Sequence, residues 1–284
     1  MKSILITGGA GFIGSHTCLA MLERGYSIFV IDSFENSSQK VIERILEIYK
    51  SGNNNPNIKF EVFKGNLCNK KFIQDVFSEI IKKNQQIDGV IHFAGFKSVA
   101  ESIIKPLSYW RNNVISTINL LEIMDEFNCK SLVFSSSATV YEPKDNLILN
   151  ESSRLGPINP YGSTKHTIEI LLKDLFKSSI DYWKFACLRY FNPIGAHSSG
   201  LLGEDPKDTP NNIFPLITNT AFGIQKNLII YGNDWPTPDG TPIRDYIHVM
   251  DLAFCHIKVL EFLMGSKSEF LNLNIGTGIG TSVL

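Results

Sequence analysis

The chain has 284 residues, 43% of them hydrophobic and 19% charged, enough to bury one large α/β core or a medium domain with a smaller one attached. Its 27 basic residues against 28 acidic ones leave a net charge of −1, which excludes a global field that would draw it onto nucleic acid or an acidic membrane surface. No apolar run approaches the roughly 18 to 20 residues that span a bilayer, and Met1 leads into Lys2-Ser3-Ile4-Leu5-Ile6-Thr7, a strand rather than a signal peptide; a soluble, cytoplasmic protein is expected.

In chain order, Ile4 to Thr7, Ser27 to Ile31, Ile58 to Phe63, Val90 to Ala94 and Leu132 to Ser135 are short β-branched runs that predict strands. Amphipathic stretches such as Gln39 to Lys50 and Phe72 to Lys83 separate them. Strands alternating with helices imply βαβ crossovers, so the expected fold class is α/β, a doubly wound parallel sheet with helices on both faces. Asn53-Asn54-Asn55-Pro56, the one low-complexity patch, predicts a surface turn. Leu107 to Asn128 predicts one long helix after Lys105-Pro106, and Pro160 to Ser178 another with proline in its opening turn. Beyond Arg189 glycine and proline crowd a polar stretch, which predicts a loop-rich second lobe; the expected division is 1–190 and 191–284. Leu271 to Gly278 reads as a strand entering a glycine turn, with six residues and no closing helix after it, so a piece of a longer protein is expected. The five cysteines are scattered and form no C-x-x-C pair; they read as reduced core residues, with neither a disulfide framework nor a metal site.

Gly8-Gly9-Ala10-Gly11-Phe12-Ile13-Gly14 follows the first strand and opens a helix. In that context Gly8 gives the sharp turn, Gly11 a bare approach for a pyrophosphate, and Gly14 close packing of helix on strand, with the helix N-terminus facing the anion. Asp32, at the end of the second strand, puts a carboxylate where the adenosine ribose of a dinucleotide belongs. It accepts bonds from a 2′-hydroxyl and repels a 2′-phosphate, so NAD is expected rather than NADP.

Tyr161-Gly162-Ser163-Thr164-Lys165 is Y-x-x-x-K at the start of a predicted helix, a spacing that sets both side chains on one face. A tyrosine near pKa 10 is a poor base at neutral pH, and a neighbouring Lys⁺ favours its phenolate. Ser135-Ser136-Ser137 ends the fifth strand, at the carboxyl edge where open α/β sheets bind ligands. Each pattern alone is also what a surface pair or a polar strand end would show.

Together with Val90-Ile91-His92-Phe93-Ala94-Gly95-Phe96-Lys97, Arg189-Tyr190-Phe191-Asn192-Pro193, Gly203-Glu204-Asp205-Pro206, Pro210-Asn211-Asn212, Tyr231-Gly232-Asn233-Asp234 and Arg244-Asp245-Tyr246-Ile247-His248, these residues resemble the extended short-chain dehydrogenase/reductases across the whole chain. Within them the likeness is to the branch that epimerises UDP-hexoses at C4. The resemblance implies an NAD-binding Rossmann domain and a smaller nucleotide-sugar domain. It implies that Gly8, Gly11, Phe12, Ile13 and Gly14 meet the NAD pyrophosphate and that Asp32 holds the ribose. Asn66 and Leu67 would flank the adenine, Phe93, Ala94, Gly95, Lys97 and Asn112 line the cleft, and Phe191 sits against the nicotinamide. Ser137, Tyr161 and Lys165 become the catalytic set. Lys97, Ser137, Tyr161, Asn192, Asn212, Ile213, Tyr231, Arg244 and Tyr246 would meet the UDP-hexose, Arg244 because its rigid fork suits a diphosphate. A homodimer is implied too, with Ile118, Leu121, Ile168 and Leu172 as a possible seam unless they pack within one chain.

Three departures stand out. Asn66 occupies a position where the family commonly has Asp, Glu142 one where it usually has Gly, and the family runs on for some dozens of residues past Leu284, through a tail that adds nucleotide contacts. The alternatives are a nucleotide-sugar dehydratase or decarboxylase, and a non-catalytic NAD-binding protein. Against the dehydratase, Thr139 is followed by Val140-Tyr141 rather than by the Asp-Glu pair typical of those enzymes.

Overall fold

In a computed structural model, which describes residues 2–284 apart from 53, 54, 84, 144–147, 180, 208, 209 and 211, strands and helices alternate through the first two thirds of the chain. The order is β1 (Ser3–Thr7), α1 (Phe12–Glu23), β2 (Ser27–Asp32), α2 (Gln39–Gly52), β3 (Phe60–Lys64), α3 (Lys70–Lys82), β4 (Ile87–His92), α4 (Val99–Ile104), α5 (Pro106–Tyr109), a π-helical segment (Trp110–Ile115), α6 (Ser116–Glu126), β5 (Ser131–Ser135), α7 (Pro160–Ser178) and β6 (Lys184–Tyr190). There follow β7 (Asn192–Ile194), α8 (Ile213–Ala221), β8 (Ile243–His248), α9 (Val249–Gly265), β9 (Glu269–Ile275) and β10 (Gly280–Ser282).

One sheet of seven strands runs in the order β3-β2-β1-β4-β5-β6-β9, with every pairing parallel. The period of two along β1 explains why it needs helices on both sides. Leu5 joins Phe29, Leu132 and Phe185 in a core facing α3, α6 and α7, while Ile4 and Ile6 join Ile28, Val30 and Leu188 in a core facing α1, α2 and α9. The strand order reverses between β1 and β4, so a crevice opens at their carboxyl ends. The smaller sheet is β10-β8-β7, and its β7 begins two residues past the carboxyl end of β6.

Boundaries follow local chemistry. The Asn69 side chain accepts the Phe72 amide at 3.2 Å and starts α3 at Lys70, earlier than hydrophobic periodicity predicts. The single helix predicted over 107–128 is one helical rod from Pro106 to Glu126 whose Trp110–Ile115 segment is π-helical, a wider turn that apolar spacing does not reveal. Three of the four proposed dimer-seam residues, Leu121, Ile168 and Leu172, belong to the chain's own core; packing beneath β5 and β6 claims them, and only Ile118 is exposed. The turn predicted at 53–56 falls partly outside the described residues, as does Asn211.

Candidate active site

The loop after β1 is shaped by contacts that no side chain could share. Gly8 has φ +71°, and a Cβ there would lie 2.7 Å from the Ala94 amide nitrogen; one at Gly14 would lie 2.2 Å from the Gly8 carbonyl oxygen. Gly11 is the N-cap of α1, and no side chain caps that helix. The amides of Phe12, Ile13 and Gly14 therefore lack an internal helical partner, and the macrodipole favours an anion before them. Asp32 is nearly buried and accepts from the Ala10 amide at 2.9 Å, the Phe34 amide at 2.8 Å and the Ser37 hydroxyl at 3.0 Å. Asn66 and Asn112 meet in a cavity of about 470 Å³ that also takes in Glu35, Cys68, Phe96 and Arg111. Asn66 accepts the Cys68 amide at 2.8 Å, and Leu67 is buried beneath. An uncapped helix start, a glycine cradle and a strand-end carboxylate in one crevice fit a dinucleotide.

At the other end of the crevice α7 presents Tyr161 and Lys165. Asn159 accepts the Gly162 amide at 2.8 Å and Pro160 occupies the first turn, so the helix starts directly beside the tyrosine. The Lys165 ammonium donates to the Ser135 carbonyl at 2.7 Å and stands 4.8 Å from the Phe134 ring centre and 5.9 Å from that of Tyr161. Ser137 Oγ accepts from the Thr139 amide at 3.2 Å and hydroxyl at 3.0 Å, which leaves its own proton as a donor. Burial pushes the Tyr161 phenol well above its ordinary range, Tyr190 adds to this, and the Ser137 hydroxyl pulls it down. Burial lowers the Lys165 ammonium to about 8, against Glu169, which raises it.

Behind them, His92 joins Thr7 at 2.6 Å and Thr117 at 2.9 Å. Thr117 donates onward to the Asn113 carbonyl at 2.7 Å, so it accepts from Nε2–H, and Nδ1 accepts from Thr7. Burial, then Lys165, drives His92 down to about 3, which keeps it neutral at pH 7. Asn113 ties the 93–97 loop to α7 by accepting the Phe96 amide at 2.8 Å and donating to Thr164 at 3.0 Å. Phe93 packs 4.7 Å from the His256 ring.

The second lobe is more open. Lys97 lies 3.5 Å from Glu204, and Asn212 donates to the same carboxylate oxygen, so two candidate substrate residues converge on a third that spacing alone did not single out. Ile213 opens α8. Asn192 pairs with Tyr246 between β7 and β8, and Phe191 bonds through its amide to the Ile275 carbonyl at 3.2 Å. Tyr231 is 80% exposed; Arg244, also exposed, lies on β8 two residues before Tyr246, and its guanidinium donates to the Ile243 carbonyl at 2.9 Å. Glu142 pairs with Arg154 at 3.3 Å beside the Tyr141–Leu155 bridge, closing the loop after the serine strand.

The fold and this crevice define a class: a Rossmann-type α/β protein with a Ser/Tyr/Lys arrangement beside a dinucleotide cleft. The chain belongs to the NAD dependent epimerase/dehydratase family, whose model matches residues 4–276. It is 47% identical over 283 residues, 100% of this chain and 78% of the relative, to UDP-glucose 4-epimerase 2 of Arabidopsis thaliana. It is 48% identical over 283 residues, 99% of this chain and 80% of the relative, to UDP-glucose 4-epimerase of Yersinia enterocolitica. Among solved structures, UDP-glucose 4-epimerase from Bifidobacterium longum in complex with NAD+ and UDP superposes with a TM-score of 0.90 at 43% identity, over 99% of this chain and 80% of that one.

Proposed function

We propose that this chain is an NAD-dependent epimerase that interconverts UDP-galactose and UDP-glucose by transient oxidation at C4 of the hexose. The observation that carries the reading is the buried Ser137/Tyr161/Lys165 group at the carboxyl end of β5, two strands from the glycine loop that ends β1. The names of the relatives support the substrate. Bound NAD would supply a hydride acceptor and return the hydride to the opposite face of C4. Tyr161 takes the proton from the 4-hydroxyl and gives it back. Ser137 donates to the phenolate oxygen and steers the hydroxyl, while Lys165 supplies the nearby cation that offsets the burial of Tyr161. The amides of Phe12 and Ile13 receive the cofactor's pyrophosphate, Asp32 its ribose, and Asn66 and Leu67 its adenine. Phe93, Ala94, Gly95, Lys97 and Asn112 line the rest, with Phe191 at the nicotinamide. Asn192, Asn212, Ile213, Tyr231, Arg244 and Tyr246 anchor the UDP part, so that the 4-keto hexose turns over while its non-reacting end stays fixed.

Incubation with UDP-galactose and analysis of the nucleotide sugars tests this. UDP-glucose is the expected product. A 4-keto-6-deoxy sugar would reassign the chain as a dehydratase, and retained NAD without turnover would leave a binding protein.

The same proposal includes a homodimer and a cytoplasmic location. Leu107, Trp110, Ile115 and Ile118 on the α5–α6 rod and Ile170 on α7 are exposed apolar residues, which supports a helical seam. Sedimentation at micromolar concentration should give a dimer, and Ile118→Asp a monomer. The location is supported by five unpaired cysteines; no helix among the described residues is long and apolar enough to cross a membrane.

A further inference from the structure

The three serines at the end of β5 each face a different residue of α7. The Ser135 carbonyl accepts from Lys165 at 2.7 Å, the Ser136 hydroxyl donates to Glu169 at 2.5 Å, and the Ser137 hydroxyl pulls the Tyr161 phenol down. Positions 161, 165 and 169 recur every four residues and form one buried stripe. The mechanism above uses two of them and leaves Glu169 idle.

Glu169 is not loosely placed. Arg189 grips it fork to fork, Nε to Oε1 at 3.0 Å and Nη2 to Oε2 at 2.6 Å. The remaining guanidinium nitrogen donates to the Tyr141 hydroxyl at 3.0 Å, and that hydroxyl to Asn274 at 2.6 Å. Both charged side chains are at least 95% buried. A buried ion pair adds little net stability over apolar filling of the same volume, so stability alone does not account for a carboxylate here.

We propose that Glu169 is a positioning residue for the reaction: clamped by Arg189 and bonded to Ser136, its carboxylate fixes the catalytic face of α7 to the end of β5 and supplies the negative charge that balances Lys165. The inference rests on the reading of Tyr161 as a base assisted by Lys165. Around those two stand Glu169 on their own helix, His92 from β4, the Ser135 carbonyl and Phe134 ring from β5, Arg189 and Tyr190 from β6, and Tyr109 from α5 with Glu101 on its hydroxyl. His92 is neutral, and Glu169 is the anion that acts on Lys165. Burial presses Lys165 to give up its proton, and Glu169 opposes that loss. Without it the lysine would be uncharged over part of the working pH range, and Tyr161 would lose its cation.

Glu169→Gln alone strands the Arg189 charge in the core and risks unfolding. The test therefore uses the paired variant Glu169→Gln/Arg189→Met, with Ser136→Ala, which keeps the ion pair, as companion. Two quantities are measured: kcat against pH with UDP-galactose, and the titration of the Lys165 Nζ resonance by ¹⁵N NMR in protein without substrate. In the paired variant both the alkaline limb of kcat and the lysine titration should move down by about one pH unit, a ~10-fold change in proton affinity, while KM stays within about threefold. Ser136→Ala should lower kcat by about two- to tenfold, the scale of one hydrogen bond, with the lysine titration in place. A lysine titration in the paired variant that coincides with that of the unmodified protein would overturn the electrostatic role, and unchanged kcat in Ser136→Ala the positional one. An unmodified protein inactive on UDP-galactose would overturn the functional reading instead, because the NMR measurement reads Lys165 without turnover.

Discussion

Asp32 holds three donors, His92 is bonded through both ring nitrogens and Lys165 rests on a backbone carbonyl, whereas Tyr231 and Arg244 project from the second lobe largely exposed. The first region meets a ligand already organised, so little ordering remains when chemistry begins. The second must immobilise long side chains when the ligand arrives, which costs about 0.5–1.5 kcal/mol for each. Under the proposed function, turnover belongs to the first region and ground-state affinity to the second.

The hardest test of this division is Tyr161→Phe, which keeps the ring and removes only the ionisable oxygen. Its kcat should fall by about 10²- to 10⁴-fold with NAD retained; near-normal turnover would end the assignment. Next in size is an acid effect. His92 titrates at about 3 in the fold against 6.5 unfolded, so the unfolded chain binds the extra proton below pH 6.5 and stability falls as pH drops. About 2.5 kcal/mol should go between pH 7 and 4.5. Urea unfolding at each pH should show His92→Gln, less stable at neutral pH, losing that much less on acidification, while buried His256, at about 4, still contributes. Arg244→Ala should raise KM by about 10- to 100-fold, the range of a charged hydrogen bond, and leave kcat within a few-fold. An equal fall in kcat would merge the two regions into one machine. The subtlest expectation is that UDP slows amide exchange across 212–246 more than across 1–190; uniform protection would erase the contrast.

Much of the first region was legible because its chemistry is local. Gly8, Gly11 and Gly14 sit at fixed offsets after an apolar strand, Tyr161 and Lys165 share a face through their spacing, and Asn159-Pro160 marks the helix start. What escaped needs three dimensions. Glu169 is one further helical step from Lys165, but its value comes from Arg189 on a strand that alternation did not mark, in Lys184–Tyr190. Glu204 gains meaning only when Lys97 and Asn212 meet it. The π-helical segment leaves apolar spacing nearly unaltered while placing Asn113 between the 93–97 loop and α7. Leu121, Ile168 and Leu172 have the spacing of a seam and of a core alike, and burial decided for the core.

The pairing of β6 with β9 joins Lys184 to Glu269 and Tyr190 to Ile275, with β7, α8, β8 and α9 strung between them. A ribosome delivers these strands far apart in time. Until Glu269–Ile275 emerges, Phe185, Cys187 and the neighbouring backbone of β6 border an unpaired edge, an open template for any other extended chain. The nascent protein thus carries its nearly complete sheet with one edge open until residues 269–275 pair with β6.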